Sequence, residues 1–334
     1  MLHRLHSFEF SDLPRIAFGP VTPGWGSWEW VGEDLAAELS KWLPVTTFEW
    51  DAVPECDLAV VVKHPLTEAI RSQIAPETQL VYCPIDHYGS SAEIDADAVW
   101  LRRCARIVIH CERLRKYFTP YAPVEYLDHH VKFMAEMGNR WNSDGPILWA
   151  GVRSNLPPLV DWVNSHRLVR ELLVLTNPED ASRPLASADF GFRNGNAVRV
   201  EAWTAARHVE CLSAAVGVLD IKGNDFRQRH KPPAKAIDFI ASGLPLAMNA
   251  SSSPVEHLAR IGFDVAAPED VERWFSEDYR GETERFGAAL RELLSRERVA
   301  RKWRRIISEV FRERQWNQAR VEPPCSASIK TRIP

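Results

Sequence analysis

The chain has 334 residues, of which 45% are hydrophobic and 26% are charged, and this length predicts two domains rather than one. The formal net charge of −4 at pH 7 argues against general nucleic-acid binding, because nucleic-acid-binding proteins usually carry a basic excess. The first twenty residues contain several charges and no apolar run, so we expect neither a secretory signal nor a membrane anchor, and a cytoplasmic protein.

The first half of the chain alternates strand-like and helical segments. A short strand at 15–18 leads into a loop rich in glycine and tryptophan. Further strand-like runs lie at 45–50, 57–63, 79–83, 106–110 and 124–127, and helical periodicity is present at 66–74 and 98–104. This alternation predicts a parallel sheet covered by helices.

The loop after the first strand carries glycines and indole rings. Gly24 and Gly26 allow tight turns. Trp25, Trp28 and Trp30 offer flat apolar faces with N–H donors, which suit a sugar ring, so we expect an acceptor-binding surface here. Two other interpretations are open: a glycine-rich turn without a ligand, since the dinucleotide fingerprint lacks its third glycine, and an interdomain contact.

A second polar segment follows the strand at 79–83. Asp86 and His87 would project from the carboxyl edge of the sheet, where open α/β sheets bind ligands. A histidine beside a carboxylate can act as a general base. The alternative is a loop histidine without chemistry.

A loop-forming segment at 138–146 separates the two halves and is the predicted linker. A strand at 147–150 follows, then a helix at 156–165, and strand and helix patterns continue to residue 250. The second half therefore repeats the plan of the first without repeating its sequence. We predict domains at 1–140 and 146–300, with residues 301–334 forming a terminal helix and a loose tail.

The segment at 219–250 reads as a strand, a charged loop, a helix beginning near Pro232 and ending at Gly243, and a second strand. Free N–H groups at the helix start add positive potential to that of the basic side chains. Those side chains are Lys222, Arg227, Arg229, His230, Lys231 and Lys235. The loop is suited to an anion such as a diphosphate.

The last part of the chain is predicted to be helical from about Glu284, after a helix, a short strand and a helix begun by Pro268. An apolar stripe runs along its final helix, and the surrounding residues are largely basic. We interpret the stripe as a packing face, with a membrane-surface helix as the alternative. The stripe consists of Val299, Trp303, Ile306, Ile307, Val310 and Phe311.

Six cysteines are scattered along the chain without a CxxC pair, which indicates buried thiols in a reducing compartment. His110 beside Cys111 is a weak metal signal, because a zinc site needs four ligands at recognisable spacing. We therefore expect no metal ion.

The segment from Asp238 to Pro245 resembles a motif of GT-B glycosyltransferases, which have an acidic residue, seven intervening residues, a second acid and then small residues with Gly and Pro. Asp238 falls on the second acid, and His230 stands where the first acid would be. The resemblance implies two Rossmann-like domains facing each other across a cleft, with a C-terminal helix that crosses back to the first domain. It implies that Asp238 holds the ribose of a nucleotide-diphosphate sugar.

Other segments resemble the same class. The turn at 151–154 resembles one in which an arginine, here Arg153, contacts the donor phosphate, and 106–114 with 124–133 resembles the end of the first domain. The loop at 24–30 resembles the acceptor-side glycine loop. The donor side would thus comprise Arg153, Lys222, His230, Lys231, Lys235 and Asp238.

The resemblance implies a metal-independent glycosyltransferase, of the hexosyltransferase type, in bacterial cell-envelope or other glycan biosynthesis. Without a metal, the cations would stabilise the departing diphosphate. If the reaction inverts the anomeric centre, His87, Asp86 and Glu29 are the candidate bases. The acceptor would be a glycan, a lipid-linked or a small molecule, with peripheral membrane contact and no nucleic acid. The alternatives are a nucleotide-sugar 2-epimerase and a non-catalytic nucleotide- or glycan-binding subunit, which His230 in place of an acid favours.

Overall fold

The computed structural model describes residues 13–135, 142–177, 185–193 and 195–321, with side chains described up to residue 313. The predicted tail and part of the predicted linker lie outside these residues. The division into domains at 140 and 146 therefore stays a prediction.

The first half forms a six-stranded sheet in the order β2-β1-β3-β4-β5-β6, in which every pairing is parallel. β3 reads LAVVV and is buried along its whole length, as expected for a strand with both faces covered. It pairs with β4 in the register Leu58↔Gln79. The strands are β1 (Ile16–Gly19), β2 (Val45–Thr47), β3 (Leu58–Val62), β4 (Gln79–Cys83), β5 (Arg106–Ile109) and β6 (Val124–Tyr126).

Short helices connect these strands. The first two are joined by a π-helical segment, Glu29–Glu33, and a 3-10 turn at Glu112–Leu114 precedes the last. Ser90 caps α4 by accepting the Glu93 N–H. The helices are α1 (Gly26–Trp28), α2 (Asp34–Leu39), α3 (Glu68–Arg71), α4 (Ser91–Ala96), α5 (Ala98–Arg103) and α6 (Arg115–Phe118).

The second half forms a five-stranded parallel sheet in the order β11-β10-β7-β8-β9. Its strands are β7 (Ile147–Ala150), β8 (Leu172–Thr176), β9 (Val198–Ala202), β10 (Gly217–Asp220) and β11 (Leu246–Met248). The predicted plan of two parallel α/β units is confirmed. The short strand expected after residue 260 is reduced to a single bridge between Ala247 and Ala266.

The helices of the second half include one that the sequence did not predict, α9, in the loop after β10. Asp225 caps α9 because its Oδ1 accepts the Gln228 N–H at 2.9 Å. The helices are α7 (Pro157–Ser165), α8 (Ala205–Ala214), α9 (Phe226–Arg229), α10 (Ala234–Ala241), α11 (Ser253–Arg260), α12 (Val271–Trp274), α13 (Glu277–Leu293) and α14 (Arg296–Val321).

The C-terminal helix α14 packs on α2 in the first half of the chain. Its predicted apolar stripe is buried from Val299 to Val310, and Trp303 meets Phe18 edge to face at 6.0 Å. Arg106 of β5 donates to Glu313 at 2.7 Å. These contacts confirm the packing interpretation of the stripe and the return of the helix to the first domain.

The five described cysteines are buried and unbridged, as predicted; Cys325 lies outside the described residues. Nδ1 of His110 lies 2.5 Å from the Leu127 carbonyl oxygen. Within the described ranges, no group of three or more His, Cys, Asp and Glu side chains is arranged to hold a metal ion. None of the described helices is long and apolar enough to cross a bilayer.

Candidate functional site

The carboxyl ends of the two sheets meet across a cleft. Asp86, which follows β4, accepts a hydrogen bond from Nζ of Lys231 at 2.8 Å, and Lys231 belongs to the loop before α10. Arg227 of α9 donates to the main-chain carbonyl of His87 at 3.0 Å. The structure therefore brings together Asp86, His87 and Lys231, which the sequence placed at two separate strand ends.

Two further side chains of the cleft were missed by the sequence reasoning. Lys63 and His64 directly follow β3, whose carboxyl end neighbours that of β4. Nδ1 of His64 lies 3.0 Å from Nδ1 of His87. Nζ of Lys63 lies 4.9 Å from the ring centre of Trp25 and donates to the Ile85 carbonyl at 3.3 Å. The signal that could have identified these two residues is their position directly after a buried strand.

Both histidines of this pair have a lowered pKa and bind protons from solvent only weakly. Burial, reinforced by the neighbouring His87, lowers the pKa of His64 to about 4. Burial also lowers the pKa of His87, although the nearby Asp97 opposes the shift. At neutral pH both rings are therefore uncharged, one nitrogen donating its proton to the other. A neutral imidazole beside Asp86 retains the capacity to accept a proton.

The tryptophan loop is divided between surface and core. Trp25 is 49% exposed, whereas Trp28 and Trp30 are only 3% and 8% exposed. Trp30 donates to the His130 carbonyl at 3.0 Å, and Trp28 packs directly over Gly32, where a side chain would collide with the indole. The predicted role of Trp28 in acceptor binding does not fit its burial.

Of the loop residues, Trp25 with Gly24 and Gly26 remains at the surface. Gly24 has φ +78°, a conformation that favours glycine, and a side chain at Gly26 would press on Trp30 at 3.0 Å. A second exposed indole, Trp50, joins the site: the ring centres of Trp25 and Trp50 lie 5.6 and 5.8 Å from that of His64.

Glu29 belongs to a different group of charges. Its Oε2 lies 4.0 Å from Nζ of Lys132, which also contacts Asp34 at 2.6 Å. Asp34 further accepts from His130 at 3.0 Å and pairs with Arg296 at 3.1 Å. The structure thus places Glu29 in a charged network that links His130, Lys132 and Arg296 of α14 to Asp34 of α2.

The opposite side of the cleft carries lysines. Lys222 pairs with Asp220 at 2.7 Å. Lys235 is half-buried and donates to the Ala150 carbonyl at 3.1 Å. Burial and the charge of Lys222 lower its pKa to about 8. A side chain at Gly151 would come within 3.0 Å of the Lys235 ammonium, so glycine leaves that group its space.

Arg153 occupies a 3-10 turn after β7. Its guanidinium carbon lies 4.8 Å from the ring centre of Phe190. The main-chain N–H of Arg153 donates to Oδ1 of Asn177 at 2.8 Å. The residue therefore lies at the carboxyl edge of the second sheet, as predicted, with its side chain placed over an aromatic ring.

His230 and Asp238 are placed away from their predicted donor contacts. Nδ1 of His230 lies 2.6 Å from the Phe226 carbonyl oxygen, and its ring packs on Phe226 at 4.1 Å. Asp238 is 1% exposed, and its two oxygens accept the N–H groups of Lys132 at 2.9 Å and Phe133 at 3.2 Å. Burial raises the pKa of Asp238 to about 8. This carboxyl holds the main chain of residues 132–133, so its predicted ribose contact does not fit the structure.

The charges in the cleft favour an anionic ligand. Lys63 lies close to Lys231 and Arg227, and Lys235 to Lys231 and Lys222, while the carboxylates that act on these two lysines are those of Asp86 and Asp220. Partial burial strengthens the attraction of such groups for an anion relative to water. Phosphate oxygens accept the strong, charge-assisted hydrogen bonds that these donors can make.

Two parallel α/β units whose carboxyl edges face each other across a cleft define a fold class, and solved structures identify it. No family model matches the sequence, and no curated protein matches it. A structure of HepE from Anabaena in complex with UDP and glucose has a TM-score of 0.60 and 12% identity, over 89% of this chain and 100% of that one.

Two further structures agree. AviGT4, a glycosyltransferase involved in avilamycin A biosynthesis, has a TM-score of 0.57 and 14% identity, over 90% of this chain and 97% of that one. An α-glucosyltransferase in complex with UDP and a 13-mer DNA has a TM-score of 0.52 and 14% identity, over 86% and 94% of the two chains. The chain has the GT-B fold.

Proposed function

We propose that the chain is a glycosyltransferase that moves a sugar from a nucleotide-diphosphate sugar to an acceptor. The observation that carries this proposal is the set of partly buried cations across the cleft from Asp86 and His87, Lys231 above all. That set complements a departing diphosphate, and structural neighbours of the same fold are complexes with UDP. Hexosyl transfer in bacterial cell-envelope or other glycan biosynthesis is the finer form of the proposal.

The donor diphosphate binds between the two sheets and replaces Asp86 as the partner of Lys231. The two side chains are 13% and 23% exposed, so the ammonium is already largely desolvated and held in place. Lys235 adds a half-buried positive charge beside Gly151, and Lys222 and Arg153 lie at the neighbouring strand ends. A preorganised cation set of this kind stabilises the leaving diphosphate without a metal ion.

The exchange of partners at Lys231 also prepares the acceptor side. Once the phosphate takes the ammonium, the carboxylate of Asp86 is released from its ion pair, one residue before the neutral imidazole of His87. In an inverting reaction one of these two groups accepts the acceptor proton. In a retaining reaction neither is required as a base, and their role is to position the acceptor hydroxyl.

The reacting part of the acceptor lies near Trp25, Trp50 and His64, where exposed indole faces suit a sugar ring. The acceptor is a glycan, a lipid-linked or a small molecule. Any membrane contact would use the polar face of α14, because the apolar stripe of that helix is packed against the protein.

A second candidate is a non-catalytic subunit that binds a nucleotide or a glycan. The placement of His230 against Phe226 and the use of Asp238 within the fold favour it, since neither residue reaches a donor from this position. Turnover of a nucleotide sugar by the purified chain would exclude this candidate. A 2-epimerase would convert the donor without an acceptor.

A thermal-shift screen of UDP, GDP, CDP, ADP and dTDP and their sugar conjugates tests the donor site, because a ligand that binds only the folded state raises the melting temperature. We expect one nucleotide family to stabilise the chain and Lys231→Ala to abolish the shift. Lys302→Ala, which removes an exposed lysine of α14, should leave it unchanged. An equal shift in wild type and Lys231→Ala would contradict the assignment of this site.

A further inference from the structure

A second basic region lies beside the cleft, in a groove of about 970 Å³ at the contact of the two halves of the chain. One side of the groove is the segment from Glu112 to Pro120, which includes α6, and the other is α9 with His230. Arg113 fixes this contact, since it donates to Glu256 at 2.6 Å and to the Arg229 carbonyl at 3.1 Å.

The groove contains positive charge that the surrounding residues do not neutralise. Arg113 is paired with Glu256, and Arg115 with Glu112. Lys116 and Arg229 are exposed, and neither forms an ion pair with any other residue that the structure describes. The cationic group of Lys116 lies 4.8 Å from the ring centre of Tyr117. Two available cations next to an aromatic ring make an anion the expected ligand.

Three half-buried rings line the groove and form an aromatic wall. They belong to Tyr117, Phe226 and His230. The ring centres of Tyr117 and Phe226 are 5.3 Å apart, and that of His230 lies 5.5 Å from Tyr117. Such rings offer flat apolar faces of the kind that pack against a sugar. The wall is assembled from both halves of the chain, so it exists only when the domains are in contact.

The groove adjoins the proposed donor site through α9. Arg227 of this helix reaches the His87 carbonyl in the cleft, while Phe226 packs on Tyr117 in the groove. His230 lines the groove, and the next residue, Lys231, contacts Asp86. A ligand that fills the groove therefore ends close to the reacting groups.

We propose that this groove binds a phosphorylated carbohydrate as the distal part of the acceptor, with its phosphate at Lys116 and Arg229 and its sugar ring on the aromatic wall. The identification of this ligand as an acceptor rests on the proposed transferase function. The binding of a sugar phosphate in the groove does not depend on that function. Lysine and arginine donate charge-assisted hydrogen bonds to phosphate oxygens, and an unphosphorylated sugar would leave both cations without a partner.

Calorimetric titration of the full chain with glucose 1-phosphate tests the site, with glucose and inorganic phosphate as partial ligands. We expect glucose 1-phosphate to bind more tightly than either, and the double variant Lys116→Glu, Arg229→Glu to bind it at least about tenfold more weakly, since two charge-assisted contacts are lost. Lys302→Glu, a charge reversal outside the groove, should bind it like the wild type.

Lys231→Ala separates the groove from the donor cleft. If the groove is the site, this variant keeps the affinity for glucose 1-phosphate, and the double variant keeps the thermal shift with the nucleotide. Loss of sugar-phosphate binding in Lys231→Ala alone, no binding by the wild type, or equal affinity for inorganic phosphate would each overturn the inference. The proposed function fails separately, through absence of a nucleotide shift.

Discussion

The contact between Lys231 and Asp86 makes a prediction that runs against the usual effect of removing a charged residue from a site. Asp86→Asn removes the carboxylate that competes with the donor phosphate for the ammonium, so donor binding should become tighter. The 2.8 Å contact is the only ion pair of Lys231 among the described residues. Its loss leaves the ammonium available to the ligand at lower cost.

The size of the effect follows from the geometry. At 2.8 Å, an effective dielectric constant of about 20 gives an attraction of about 6 kcal/mol, most of which is offset by desolvation and by the ordering of the side chains. Measured net values for partly exposed pairs are about 1 kcal/mol. The donor must supply this amount to displace Asp86. Donor affinity should therefore rise by about fivefold in Asp86→Asn.

Isothermal titration calorimetry with the nucleotide identified by thermal shift measures this change. Asp95→Asn is the matched control, because Asp95 lies in the same half of the chain and accepts from the Tyr121 hydroxyl instead of pairing with a cation. Its donor affinity should equal that of the wild type. Weaker donor binding in Asp86→Asn than in the control would refute the exchange of partners at Lys231.

Three further predictions concern Lys235, Asp238 and Trp303. Lys235 loses its charge as the pH rises through about 8, so donor affinity of the wild type should fall in this range. In Lys235→Met, donor affinity should be low and independent of pH when both proteins are compared by calorimetry across pH 7 to 9. A parallel pH dependence in the two proteins would rule out Lys235 as the titrating group. Asp238 has a folded-state pKa of about 8 against an ordinary 3.8, so the folded state holds more protons between these values and stability should fall as the pH rises through this window, in urea unfolding, with a flatter profile in Asp238→Asn. A profile that is equally steep in Asp238→Asn would show that the carboxyl does not titrate in the folded state. Trp303→Ala should lower the free energy of unfolding by about 3–5 kcal/mol, because the indole is fully buried. The Arg301 side chain is 68% exposed, so Arg301→Ala should change this free energy by about 0.5 kcal/mol or less. Similar losses in both variants would disprove the packing role of α14.

The sequence was sufficient to predict the central strands because these are continuous apolar runs. Leu58–Val62 and Leu172–Thr176 are buried at every position. The length of these apolar runs, and the alternation of such runs with helical segments along the chain, are visible without tertiary information. The carboxyl-edge position of Asp86 followed from the same reasoning. The fold class and the return of α14 to the first domain came from the resemblance to the GT-B class.

The site was predicted less completely because its parts depend on sheet order and on long-range contacts. Lys63 and His64 reach the cleft only because β3 and β4 are neighbours, which periodicity does not reveal. Asp238 is held by the N–H groups of Lys132 and Phe133, in a segment more than one hundred residues earlier. Trp28 is buried where it packs over Gly32, a contact that the pattern of the loop did not indicate.

Incubation of the purified chain with the stabilising nucleotide sugar and a mixture of glycan, lipid-linked and small-molecule acceptors tests the central claim most directly, with chromatography of the nucleotide products. The proposed function predicts release of the nucleoside diphosphate, accelerated by one acceptor and abolished in Lys231→Ala. An intact or epimerised nucleotide sugar in every reaction would contradict it.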